Sequence, residues 1–179
     1  MLTPETALLN VIDVQGRLAH IVAGSEGMRA NVVRLVEGAR LFDLPVVATE
    51  QVPDKLGDTV PEVAAALGDV PRLVKDTFSC WPEESIRAAY EGAGRSQVLV
   101  CGIESHVCVY QTCLDLLSNG WEVHLVVDAI ASRSEDNKAV AVRRLEREGA
   151  LLTTTEMALF ELQHDCRGDR FRALARLVK

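Results

Sequence analysis

The chain lacks any apolar run near the ~18 residues that a membrane-crossing helix needs, so a helical membrane span is excluded as a reading of the sequence. It also lacks an excess of basic charge. Nineteen lysines and arginines stand against 26 aspartates and glutamates, for a net charge of −7, so neither nucleic acid nor an anionic membrane is an expected partner. There is no CxxC pair, and the four histidines lie far apart, so no zinc framework is supported and neither metal nor cofactor is expected. The start, Met1-Leu2-Thr3-Pro4-Glu5, is without the basic segment of an export signal. The five cysteines are odd in number and irregular in spacing, so reduced thiols in a cytoplasmic protein are the expectation. No repeat, low-complexity tract or linker divides the chain, and its 179 residues fit a single domain over 1–179.

What is present is an ordinary soluble composition, 48% apolar and 25% charged, with strand-like and helix-like stretches in alternation. Apolar runs occur at Ala7–Ile12, Pro45–Ala48, Arg72–Val74, Val98–Cys101, Glu122–Val127 and, more weakly, Ala150–Thr154. Between the first two, Met28, Val32, Leu35, Ala39 and Phe42 recur at spacings of four and three, which is one face of a helix. Further helices are predicted over Glu84–Glu91, His106–Ser118, Asn137–Glu148 and Phe171–Val178, with Gly120 and Gly149 as terminators. Strand, helix, strand at this spacing predicts βαβ units: an α/β fold of three layers, α/β/α, around a six-stranded parallel sheet of Rossmann-like kind. The one long irregular segment is expected at Glu50–Pro61.

Chemistry-bearing residues cluster at the strand ends. Asp13 follows the first run, Lys75 closes the third, and Ser105 follows the fourth as a candidate N-cap for a helix carrying Cys108 in its first turn. In open parallel sheets ligands sit beyond the carboxyl ends of the strands, so the three share one edge. A helix N-terminus favours an anion, which makes Cys108 a candidate thiolate with a lowered pKa, expected to alkylate before the other four cysteines. The alternatives are plain ones. Cys108 also reads as a small buried hydrophobe, Asp13 as a turn cap and Lys75 as a solvated lysine. Gln15 and Gln51 stand where they could hydrogen-bond a substrate amide or simply be solvated, and Phe78 and Trp81 are candidate pocket walls. His106 neighbours Cys108 in sequence but diverges from it on a helix, Cys113 lies roughly 140° round the same helix, and Arg133 and Asp128 read as structural.

At Val11-Ile12-Asp13-Val14-Gln15, Val74-Lys75-Asp76-Thr77-Phe78-Ser79 and Gly102-Ile103-Glu104-Ser105-His106-Val107-Cys108-Val109 the chain resembles the isochorismatase-like cysteine hydrolases, a superfamily that includes nicotinamidases. The resemblance runs from about Ala7 to about Phe160. Thr49-Glu50-Gln51, Leu56-Gly57 and the segment Val127–Ser134 look most like the isochorismatase domain-containing proteins. It implies a catalytic triad of Asp13, Lys75 and Cys108 and a small-molecule substrate with an amide or related C–N bond. It also implies a thioester intermediate, a non-proline cis peptide at Ile103–Glu104, an oxyanion hole from the backbone N–H groups of Glu104 and Cys108, and a homo-oligomer. The Asp-x-His metal pair of nicotinamidases has no counterpart in Thr49-Glu50-Gln51-Val52-Pro53, and an intact Cys108 speaks against vinyl-ether hydrolysis of the isochorismatase type. Competing readings are a non-catalytic interaction module on the same fold and a redox-sensing thiol protein, the latter without a suitably spaced resolving cysteine.

Overall fold

The first apolar run is a strand, β1 (Ala7–Ile12), buried along its whole length, which is why it reads as continuous rather than alternating. The computed structural model describes residues 1–179. After β1 come α1 (Leu18–Ile21), α2 (Ser25–Leu41), β2 (Val46–Gln51), α3 (Pro53–Leu56), α4 (Pro61–Leu67) and β3 (Arg72–Lys75). The second half holds α5 (Glu84–Gly92), β4 (Gln97–Ile103), α6 (Cys108–Ser118), β5 (Glu122–Ala131), α7 (Glu135–Arg147), β6 (Leu151–Thr153), α8 (Thr155–Gln163) and α9 (Gly168–Leu177). All strands are parallel in the order β3-β2-β1-β4-β5-β6.

Period-two alternation divides the core between the two faces of the sheet. Leu9 and Val11 of β1, with Leu99, Cys101 and Ile103 of β4, pack on one face against Val32, Leu35 and Ala39 of α2, Val63 of α4 and Leu159 of α8. Leu8 and Ile12, with Val98 and Val100, pack on the other face against Ile86 and Tyr90 of α5, Val109 and Leu116 of α6, and Leu145 of α7. Asn10 is buried in β1 and fully engaged: its amide donates to Val47 O at 3.0 Å and its Oδ1 accepts from Tyr90 at 2.8 Å. The two halves of the sheet meet at β1 and β4, where strand order reverses. There β4 runs so close to β1 that a Cβ on Gly102, at φ +119°, would collide with the Ile12 backbone.

Several boundaries differ from the sequence reading. β2 begins at Val46 and continues to Gln51, so Glu50 and Gln51 belong to a strand and the segment after them holds the short α3. β5 runs four residues beyond Val127, to Ala131, through a register shift opposite Val100–Gly102. α6 starts at Cys108 itself, because a turn closed by Val107 N–H to Glu104 O (3.0 Å) occupies the preceding residues. Ser105 is buried in that turn with its hydroxyl unpaired and caps nothing. The sequence reading contains none of α1, α3, α4 and α8, helices of four, four, seven and nine residues with too few apolar repeats to register as periodic.

Candidate active site

Four adjacent strands deliver one site. β3 ends at Lys75, β2 at Gln51, β1 leads into Asp13, and β4 leads through Glu104 to Cys108. Asp13 has φ +50°, a left-handed turn that aspartate tolerates better than most residues. It is only 4% exposed, and its Oδ1 accepts from Thr49 Oγ1 at 2.8 Å while Oδ2 lies 2.7 Å from Lys75 Nζ. The Lys75 side chain is wholly buried, which contradicts the solvated-lysine reading. An ammonium in that position needs partners. Lys75 Nζ donates to Gln51 Oε1 (2.9 Å), Thr77 O (3.1 Å) and Phe78 O (3.0 Å), and the Asp13 carboxylate faces it as a fourth oxygen. Three N–H bonds serving four oxygens leave Asp13 Oδ2 with acceptor capacity.

Cys108 opens α6, nearly buried, and its Sγ donates to Gln51 Oε1 at 3.2 Å. One amide oxygen therefore accepts from both the lysine and the thiol. Burial pushes the Cys108 thiol up to about 12, with the Asp13 charge adding to it and the Lys75 charge opposing. The expectation of a lowered thiol pKa is thus corrected: desolvation and the neighbouring carboxylate outweigh the helix terminus and the lysine. Exposure favours Cys166 over Cys108 in alkylation, since Cys166 is exposed and Cys108 is not. All five cysteines are free.

The Ile103–Glu104 peptide is cis. Glu104 N–H and Cys108 N–H find no backbone acceptor, whereas Ser105 N–H donates to Ala131 O. The Glu104 side chain turns away from this point: its Oε1 accepts from Arg133 N–H (3.0 Å) and Nε (3.1 Å). Burial tends to raise that carboxyl, but the Arg133 hydrogen bonds hold it below the usual carboxylate range.

A cavity of about 300 Å³ opens beside Cys108, Asp13 and Gln51. Its apolar wall is Leu18, Val52, Leu56, Phe78, Ile103 and Val107. Phe78, about half exposed, lies in that wall, whereas Trp81 stacks on Tyr90 with centroids 6.2 Å apart and belongs to the core on the α5 side. Gln15 borders the cavity, but its amide is committed to the backbone: Oε1 accepts from Gln51 N–H (2.7 Å), and Nε2 donates to Gly57 O (2.7 Å) and Gln51 O (3.3 Å). His106 faces elsewhere, bonding Ser132 Oγ at 3.0 Å. No three His, Cys, Asp or Glu side chains come together in a way that would hold a metal ion.

Sequence reading missed Thr49 and Lys55. Thr49 pairs in register with Ile12, which puts its hydroxyl beside Asp13; knowing that β2 neighbours β1 in this register was the missing signal. Lys55 lies in the segment read as irregular and lines the cavity.

The fold has counterparts among known proteins. A secreted isochorismatase effector of Phytophthora sojae is 37% identical over 182 residues, covering 99% of this chain and 87% of that protein. The isochorismatase domain-containing protein 2A of Mus musculus is 36% identical over 177 residues, covering 98% and 84%. Among solved structures, the MAR1 ribonuclease of Caenorhabditis elegans superposes with a TM-score of 0.91 at 34% identity, covering 99% of this chain and 91% of that one. An octameric Escherichia coli hydrolase of unknown specificity, the YcaC gene product, superposes at 0.93 with 28% identity, covering 98% and 88%. The model of the isochorismatase domain matches residues 6–157, which take in every strand and every residue of the site, and the chain belongs to the isochorismatase family.

Proposed function

We propose that this chain is a cysteine hydrolase of a small amide or related C–N bond, with Cys108 as nucleophile, Asp13 as proton carrier and Lys75 as the fixed cation. The observation that carries the reading is the convergence of a thiol, a carboxylate with spare acceptor capacity and a buried ammonium at one cavity. A cavity of about 300 Å³ sits at the small end of ligand pockets, which supports a small-molecule substrate.

At rest the thiol is neutral, so proton loss accompanies attack. Sγ–H passes its proton to Asp13 as sulfur bonds the carbonyl carbon, and the carbonyl oxygen becomes an oxyanion that accepts from the N–H groups of Glu104 and Cys108. Removing one such donor costs about 3 kcal/mol in comparable acyl-transfer sites. Asp13 then returns the proton to the departing amine as the C–N bond breaks, leaving a thioester. Water attacks the thioester carbon, Asp13 accepts its proton, and the carboxylic acid leaves as the thiol is restored. Lys75, 2.7 Å from Asp13 Oδ2, lowers the cost of the passing thiolate. No metal or cofactor enters this scheme. The chain acts as a homo-oligomer in this reading, with the octameric Escherichia coli relative as its support.

The ribonuclease name of the Caenorhabditis relative raises an RNA-cleaving alternative. The net charge of −7 weighs against it, because binding a phosphodiester chain draws on several cations. Ammonia release from a panel of small amides by the purified chain tests the proposal. Turnover of at least one amide that disappears in Cys108→Ser is expected. No turnover of any amide, together with cleavage of RNA, would transfer the chain to the alternative.

A further inference from the structure

Charges in and around the cavity wall are paired with one exception. Asp13 faces Lys75 at 2.7 Å, and Glu104 is held by Arg133 at 3.1 Å. Lys55 alone lines the cavity as a charge whose side chain has no ion-pair or hydrogen-bond partner in the chain, its backbone N–H going to Val52 O at 2.8 Å.

Its place is fixed by the segment around it. Val52 takes a left-handed turn at φ +38°, a conformation that a β-branched residue adopts only when its surroundings enforce it. Gln15 enforces it by clamping Gln51 N–H and Gly57 O from the two sides. Glu50 Oε1 then takes both Thr59 N–H (2.7 Å) and Thr59 Oγ1 (2.6 Å), closing the far end. Gly16, at φ +43°, lets the chain pass where any Cβ would collide with the Leu56 carbonyl. Residues 52–59 therefore form a pinned wall that presents Val52 and Leu56 as apolar surface with Lys55 beside them.

We infer that the substrate is a monoamide whose far end carries a carboxylate, joined through a short apolar spacer. The inference rests on the cysteine-hydrolase reading for the amide end. The amide carbon lies at Cys108, the spacer runs against Val52, Leu56 and Phe78, and the carboxylate pairs with the Lys55 ammonium. One ammonium matches a singly charged group; a phosphate would draw on several donors or an arginine fork.

The test compares a monoamide of a dicarboxylic acid with a neutral alkyl amide of equal length, using the full chain. Wild type is expected to favour the anionic amide in kcat/KM by at least about fivefold, the scale of a solvent-screened ion pair. That ratio should fall to about one in Lys55→Met and below one in Lys55→Glu; Lys55 is exposed, so neither substitution burdens folding. A wild-type ratio of one, or a ratio indifferent to Lys55→Glu, would overturn the inference. Calorimetric binding of the same two amides to Cys108→Ser protein separates the two layers. Anion-selective binding that depends on Lys55, without turnover in wild type, would sink the hydrolase reading alone. Failure to bind the anionic amide more tightly than the neutral one would sink the inference.

Discussion

The Cys108 thiol donates to Gln51 Oε1 across 3.2 Å, and that same oxygen takes an N–H from Lys75 at 2.9 Å. The amide thus parks the sulfur next to the cation while keeping its proton in place. With the thiol held near 12 by burial and by Asp13, a resting thiolate is scarce at neutral pH. Peptide mapping after iodoacetamide at pH 8 should find Cys166 labelled first. Cys108 labelling should climb through pH 11 without a plateau. A plateau below pH 9 would show that the ion pair governs the sulfur instead.

Thr49 is a positioning residue for the proposed base. Its hydroxyl holds Asp13 Oδ1 at 2.8 Å inside the core, so Thr49→Val leaves a buried carboxylate oxygen short of a partner. The loss should lower stability by about 1–3 kcal/mol in urea titration. It should also depress kcat while KM stays near its wild-type value. Thr49→Ser, which restores the hydroxyl, should recover both; recovery of stability without kcat would confine Thr49 to the fold.

Much of this was legible in the residues themselves. Continuous apolar runs such as Ala7–Ile12 and Val98–Cys101 announced strands buried on both faces, and Met28 through Phe42 announced α2 by its period. Three strand-end residues fell on one edge because parallel strands all point their carboxyl ends the same way. What stayed hidden depends on register and on local hydrogen bonding. Gln15 and Gln51 look alike in sequence, yet one ties down the 52–59 wall and the other bridges Lys75 and Cys108. The sulfur's pKa was misjudged because a helix terminus is visible in a sequence, whereas desolvation is a property of packing.

Buried thiols should make the protein sensitive to alkali. Burial, the largest cause, pushes Cys80 from the ordinary 9.0 to about 11, so its neutral form is favoured in the folded state. A raised folded pKa contributes stability that is complete below the unfolded value and is lost as pH climbs through the folded one. The window is therefore about pH 9 to 11, and stability falls across it because this thiol ionises more readily in the unfolded chain than in the folded one. Urea unfolding at pH 8 and pH 10 should show that decline, and Cys80→Ser, whose hydroxyl does not titrate there, should show a shallower one. Identical slopes would remove Cys80 from the account.

The ion pair between Asp13 and Lys75 separates catalysis from architecture. Breaking a buried pair from one side leaves a charge without its counterpart, so Asp13→Asn and Lys75→Met should each destabilise by about 3 kcal/mol or more. The double variant should lose clearly less than the sum of the two, because it buries no orphaned charge at full strength. On any substrate found, Asp13→Asn should cut turnover by at least about 10²-fold, the scale of a lost acid–base group. Raising the pH should not restore it, since the departing amine still lacks its acid. Lys75→Met should recover in part at higher pH, where hydroxide replaces the help that the ammonium gives to thiol ionisation. A fold that kept this pair only for stability would show the same coupling in urea but equal activity in wild type and Asp13→Asn. That outcome would reduce the site to a structural relic.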